Sequence, residues 1–420
     1  MELMNQPFSG QLGDRLLELL ASDEYHTLNI AVAFAKNSGV LRIKDGLEKF
    51  NARGGTVNAY VGVDLGGTSY EALTVLLLYT DSLNVVHSER DQTFHSKIYH
   101  FLGDNSGLLI VGSHNLTGGG LWTNFESSVH ISFGDDSTGE ANLSKEVTEY
   151  LHRLDALGAS LMPIKSQDEI EKLLSEGYVT KEVADRVRRV SARKKDNSKV
   201  PLFGNGAPAK IPRLTSTYQE TSTEQQATKE QEATVATVVA PTEIVSVEVE
   251  EPTQTIWFET REMTGGSRNI LDLSKRSLIE TGDPTGTPFD LGEAKFMRGG
   301  VEFFGLNPGD TDQVANITIN FKGQDYFENT ILYPEGSNAN GTWRLQIKGE
   351  NASGQKITDA FRAEGEAYHL VRKIITFTKV ADDYFYLSVF PESDLEEFKE
   401  ASSILARNGS SRNARLLGLL

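Results

Sequence analysis

The chain has 420 residues, 38% hydrophobic and 24% charged, which at ~100–200 residues per domain predicts two to four domains. It has no cysteine, which excludes a disulfide framework, a thiolate zinc site and a cysteine nucleophile. A net charge of −18 means that any attraction to nucleic acid must come from local basic patches. No apolar run approaches the length of a spanning helix, and MELMNQPFSG has neither the basic flank nor the apolar run of a signal peptide. A soluble, cytoplasmic protein with no membrane partner is expected.

Residues 1–160 alternate strand-like and helix-like stretches. Strands are predicted over Thr27–Phe34, Thr56–Val63 and Ser82–His87, with helices over Val40–Asn51 and Ser69–Thr80 between them. That alternation predicts an α/β domain with a mainly parallel sheet flanked by helices. Thr93–Leu102, Gly107–Val111 and Glu126–Phe133 read as further strands, and Gly139–Leu154 as a covering helix. Residues 161–200 read as a helical basic segment, with seven Lys or Arg against one Asp from Arg186 to Lys199. A solvated helix face, a hinge and a phosphate-tracking strip all fit that run. Residues 201–254 are rich in Thr, Gln and Glu, almost without aromatics, and are expected to form a flexible linker.

From Thr255 the pattern is of short strands. TIWFETRE, VEFFGL, ITINF, WRLQIKG, ITFTKV and YFYLSVF are separated by Gly, Asn, Pro and Asp clusters. This predicts a compact all-β barrel or sandwich over 255–398, followed by a helix-like tail over 399–420.

The chemistry is concentrated in FHSKIYHFLGDNSGLLIVGSHNLTGGGLWTNFES, residues 94–127. On a strand starting near Thr93, the period of two puts His95, Lys97 and Tyr99 on one face. A turn over Gly103–Gly107 then returns the chain, and a second strand delivers Gly112, Ser113 and Asn115. Glu126 opens another strand. An imidazole, an ammonium, a hydroxyl, an amide and a carboxylate then meet at one sheet end, which describes a phosphate site containing a nucleophile. Singly, H-x-K is also what a polar strand face produces, and S-x-N what a helix cap or turn produces. The conjunction, in this order and on these elements, favours catalysis. His100 falls on the face opposite His95 and reads as structural, while His87, His114 and His130 have no comparable company.

This arrangement resembles the phospholipase D superfamily, whose motif runs H-x-K, four residues, Asp, then G-S/G-x-N. Here H-x-K is His95-Ser96-Lys97 and G-S-x-N is Gly112-Ser113-His114-Asn115, with Thr117 following. The family's Asp falls on Leu102, and Asp104 lies two residues later across a turn. That departure is similar to the BfiI/NgoFVII-type branch of metal-independent restriction endonucleases. The resemblance implies His95 as nucleophile, Lys97, Ser113 and Asn115 as phosphate binders, and Glu126 as the carboxylate that orients the histidine. It implies no cofactor and no metal. The superfamily site uses two histidines, and only one H-x-K is present, so a homodimer through the N-terminal domain is implied.

The C-terminal strands are similar in layout to the B3-like pseudobarrel that ends chains of that branch. Two strand-loop arms carry the cations expected to meet double-stranded DNA: Arg261, Arg268, Lys275 and Arg276 in one, Arg344, Lys348 and Lys356 in the other. An oligomerisation domain is the plainer alternative. The resemblance also allows a cognate methyltransferase and a separate helicase-like ATPase subunit. This chain has no G-x-x-x-x-G-K-[ST] phosphate loop of its own. A phospholipid-cleaving enzyme and a non-catalytic DNA-binding protein with a degenerate phospholipase-D-like fold are the other classes that the motif leaves open.

Overall fold

The structure is a computed structural model and describes residues 1–90, 92–134, 138–195, 254–262, 268–335, 341–365 and 368–420, with 206, 207, 209 and 212. The stretch read as a linker therefore falls almost wholly outside the described residues, as does the end of the basic run beyond Lys195.

The N-terminal region runs β1 (Glu2–Gln6), α1 (Leu12–Ala21), β2 (Thr27–Val32), α2 (Asn37–Ala52), β3 (Thr56–Gly62), α3 (Tyr70–Tyr79) and β4 (Ser82–Val86). It continues through β5 (Lys97–Leu102), β6 (Ser106–Gly112), β7 (Glu126–Gly134), α4 (Thr138–Asp155), β8 (Leu161–Ile164), α5 (Gln167–Ser175) and α6 (Glu182–Lys195). Eight strands form one sheet in the order β1-β7-β6-β5-β2-β3-β4-β8. The sheet is mixed, which corrects the mainly parallel expectation. Among the described strands of this sheet only β2–β3 and β3–β4 pair in parallel, because α2 and α3 carry the chain back so that each following strand starts beside the one before it. The tight β5–β6 turn and the β6–β7 connection over 113–125, which returns the chain to the same end of the sheet, make antiparallel ladders.

Period-two alternation puts Leu28, Ile30 and Val32 of β2 and Val57, Ala59 and Val61 of β3 into the core beneath α1, α2, α3 and α5. Ala31 and Tyr60 face the opposite side, against Leu151 and Leu154 of α4. Helix α1 buries Leu12, Leu16, Leu19 and Leu20 along one stripe, each contributing roughly 1.5–3 kcal/mol. Its Gly13 is required for packing, since a Cβ there would sit 2.1 Å from the Trp122 ring.

The C-terminal region contains β9 (Thr255–Glu259), β10 (Ile270–Leu273), β11 (Arg276–Thr281), β12 (Phe296–Arg298), β13 (Val314–Phe321), β14 (Gln324–Leu332) and β15 (Trp343–Gln346). After α7 (Ile357–Ala363) come β16 (Lys373–Ala381), β17 (Tyr384–Pro391), α8 (Leu395–Ala401), β18 (Ile404–Arg407) and β19 (Leu416–Leu419). These strands make one eleven-stranded sheet, β10-β15-β14-β13-β17-β16-β9-β19-β18-β11-β12. Its first and last parts are joined by only Ser274 and Lys275, so the sheet curls, but among the described residues no ladder closes it into a barrel. VEFFGL is not a strand: Gly300–Phe304 is a short 3₁₀ turn that drives Phe303 and Phe304 into the core. The segment read as a helix-like tail ends instead in two strands, and β19 pairs with β9 at the centre of the sheet.

The two regions touch through charge as well as apolar surface. Lys44 of α2, only 4% exposed, bonds Asp325 of β14, which also accepts from Tyr384 Oη and Asn320 Nδ2, both at 2.6 Å. Helix α6 packs Val183 and Val187 against Trp257 and Phe398. Its Arg186 donates to the Thr255 hydroxyl and the Leu420 carbonyl. The front of the basic run is thus docked on the β region rather than free as a hinge.

Candidate active site

The C-terminal ends of β2, β3, β4 and β6 and the first residues of β5 and β7 lie at one end of the N-terminal sheet. In a sheet containing parallel strands this is where ligand-binding loops gather. Lys97 opens β5 opposite Val32, so the strand starts later than the sequence predicted, and His95 stands just before it on an exposed loop. The two side chains still meet: Lys97 Nζ is 2.9 Å from His95 Nδ1 and 2.9 Å from the His95 carbonyl oxygen. Tyr99, by contrast, is buried beneath the site, and its hydroxyl donates to the His114 carbonyl.

The segment after β6 crosses the end of β5 to reach the end of β2. Leu116 N donates to the Phe34 carbonyl, and Phe34 N donates back to Asn115 Oδ1 at 3.2 Å. That bond uses the amide oxygen and leaves the Asn115 NH₂ as the donating end. The Phe34 ring forms the floor: the His95 ring meets it edge-on at 6.0 Å, and Lys97 Nζ lies 5.9 Å from its centroid. Gly67 makes room for it, since a Cβ there would come 2.1 Å from the ring.

Ser113 bonds the Glu126 carboxylate through its hydroxyl, and the other Glu126 oxygen accepts from Asn124 Nδ2 at 3.1 Å. Glu126 therefore holds Ser113 and Asn124, and the group at His95 Nδ1 is Lys97; the expected carboxylate–histidine contact is not the one found. Burial pushes the Lys97 ammonium below its usual range, against the opposing pull of Glu126. The site thus offers one exposed imidazole, a desolvated ammonium, an amide donor and a hydroxyl backed by a carboxylate. Chemically, such a set is suited to holding a phosphate ester with a nucleophile beside it.

The remaining histidines divide differently from the sequence reading. His100 is fully buried against Ser144, its pKa pushed down to about 4 by burial, and His114 and His130 are buried on local partners. His87 does have company: its Nδ1 lies 2.9 Å from Asp64 Oδ1. Asp64, Phe34 and Asn124 were not among the sequence candidates. The available signal was position, since Phe34 and Asp64 closely follow β2 and β3 at the site end of the sheet. Among the described residues no three His, Asp or Glu side chains are grouped to hold a metal ion, and no helix is long and apolar enough to cross a membrane.

In the C-terminal region the cations expected on DNA separate into groups. Arg268, Lys275, Arg344 and Lys348 lie on or beside the edge pair β10–β15. Arg268 stacks on Tyr368 at 5.2 Å, Lys275 on Tyr333 at 4.0 Å, and Arg344 reaches Asp272 at 3.8 Å. Lys348 is exposed. Arg276, on β11, pairs with Glu293 and stacks on Phe296. Arg261 is tied to Glu259 and the Asn413 carbonyl, and Lys356 to Glu350.

Comparison with known proteins finds no matching family model and no matching curated protein. Among solved structures the chain is similar to Nuc from Salmonella typhimurium, a phospholipase D family member, at 15% identity over 39% of this chain and 97% of that one, with a TM-score of 0.28. It is similar to NucT from Helicobacter pylori at 15% identity, covering 36% of this chain and 94% of that one, TM-score 0.25. Phosphatidylserine synthase from Haemophilus influenzae Rd KW20 matches at 11% identity over 46% of each chain, TM-score 0.32.

Proposed function

We propose that the chain is a phospholipase-D-like phosphodiesterase that cuts double-stranded DNA at a defined sequence without a metal, as a restriction endonuclease. The observation that carries this is the His95–Lys97 pair at 2.9 Å, its imidazole exposed at a sheet end where the Asn115 NH₂ supplies a further donor, while the Ser113 O–H is given to Glu126. In the unliganded chain the Lys97 ammonium donates to Nδ1, so the neutral imidazole keeps its proton on Nε2. An entering phosphate draws Lys97 and the Asn115 NH₂ onto its oxygens. That releases Nδ1 to take the proton and leaves Nε2 free to attack.

Attack forms the Nε2–phosphorus bond as the bond from phosphorus to the leaving sugar oxygen breaks. That oxygen takes a proton from a second imidazole. Water then cleaves the phosphohistidine and returns a proton to the same imidazole. The second imidazole is assigned to the partner subunit's His95, which makes an N-terminal homodimer part of the reading. The cations along β10–β15 are assigned to the DNA, with Arg344 and Arg268 suited to base edges and Lys275 and Lys348 to phosphates. Incubating long phage DNA with wild-type chain and His95→Ala in excess EDTA tests the proposal. Discrete fragments from wild type alone support it; no cleavage by wild type, or cleavage by both, defeats it.

A further inference from the structure

We propose that Asp64 is a positioning residue for His95, clamping the two ends of the loop that joins β4 to β5. Its carboxylate is nearly buried, with 11% of the side chain exposed. Both oxygens are used: Oδ1 meets His87 Nδ1 at 2.9 Å and Oδ2 accepts from Phe94 N at 3.2 Å. His87 is the first residue after β4, and Phe94 immediately precedes His95. One carboxylate therefore fixes both the departure of the loop and the backbone that presents the imidazole.

Two observations indicate that this clamp is built rather than incidental. Leu65, directly after Asp64, is 87% exposed and holds φ 57° and ψ 18°, a left-handed backbone that a non-glycine residue disfavours. Such strain persists where surrounding contacts over-determine it. Gly62, at the end of β3, admits the loop: a Cβ there would meet the Phe94 carbonyl oxygen at 3.1 Å and the Ala33 carbonyl oxygen at 2.7 Å. On its far side His87, Ser88, Arg90 and Gln92 border a cavity of about 720 Å³, where Glu89 accepts from Tyr178 Oη and His87 N donates to the Ser160 carbonyl. At the end that presents His95, the hydrogen bond from Phe94 N to Asp64 and the Ser96 contacts to Ala33 N and Tyr150 Oη hold the chain.

The kinetic consequence rests on the reading of His95 as nucleophile, so the experiment has two arms. In the full chain with isotope-labelled histidine, the His95 imidazole resonances are followed in wild type, Asp64→Ala and Asp64→Asn. Asn keeps one acceptor oxygen and serves if the Ala variant does not fold. The His95 signals are expected to move in both variants, while those of His26, at the opposite end of β2, stay in place. Unmoved His95 signals in a folded variant overturn the inference. In the second arm, kcat on DNA is expected to fall tenfold to a hundredfold with KM within about twofold. Wild-type kcat in a folded Asp64 variant likewise overturns it. A wild-type chain that cuts nothing defeats the nucleophile reading, and the resonances still decide the role of Asp64.

Discussion

Lys97 Nζ stands 2.9 Å from Nδ1 of His95 and also bonds the His95 main-chain oxygen, so the ammonium fixes the ring while the site is empty. In the proposed reaction the same ammonium neutralises the entering phosphate. Lys97→Met keeps the buried aliphatic stem and removes the charge. It is expected to lower kcat by about a hundredfold to a thousandfold, the loss typical of one preorganised charge-stabilising donor. Single-turnover cleavage measures this, and a loss below tenfold would remove Lys97 from the mechanism.

Asn115 separates positioning from binding within one side chain. Its Oδ1 accepts from Phe34 N at 3.2 Å, a bond an aspartate can keep, while only the amide donates. Asn115→Asp is therefore expected to retain stability within about 1 kcal/mol. It is also expected to lose DNA cleavage by at least a hundredfold, because a carboxylate would face the phosphate. Urea titration and cleavage on the same preparation check both halves.

How much of this was legible in the sequence depends on the distance over which each residue is determined. Thr27–Val32 and Thr56–Gly62 announce themselves through runs of apolar residues buried on both faces, and His95, Lys97, Ser113 and Asn115 through local spacing. Sheet direction was not local: β5 inserts beside β2 rather than β4, which turned an expected parallel sheet into a mixed one. Glu126 was expected to orient His95, but in the structure the Ser113 hydroxyl, just after β6, donates to it instead. Strands β18 and β19 were missed because Gly, Ser and Asn between Arg407 and Arg415 mask two four-residue strands that gain their stability from β9.

A buried carboxyl, Glu71, and a half-buried one, Glu182, meet where α3 and α6 join: Glu71 accepts from Glu182 N at 3.1 Å, and Glu182 accepts from Ser69 Oγ at 3.0 Å. Burial first, and then the neighbouring Glu182, push Glu71 up to about 8. A carboxyl whose folded pKa is raised binds more protons when folded, so its contribution is present below about pH 4.5 and lost as pH rises towards 8. Glu71→Gln removes that titration. Its melting temperature is expected to exceed wild type at pH 8–9 and to converge with it near pH 5. Parallel thermal curves across that range would contradict the assignment.

Lys44 bridges the two regions through Asp325. Lys44→Ala strips the half-buried Asp325 carboxylate of its cation, leaving the Tyr384 and Asn320 donors. The expected loss is about 3–5 kcal/mol, as for breaking a buried pair from one side. Because the loss falls at the junction, urea unfolding should split from one transition into two. A single unshifted transition would show that the junction depends on apolar contact alone.

The covalent intermediate gives the most direct test of the central claim. DNA labelled with ³²P at internal phosphates is mixed with the full chain in excess EDTA and quenched within one turnover. Denatured protein is then digested and the labelled peptide identified. The account predicts an acid-labile, alkali-stable label on the peptide containing His95, absent from His95→Ala. Efficient cleavage with no label on the protein, or a label on another residue, would contradict it.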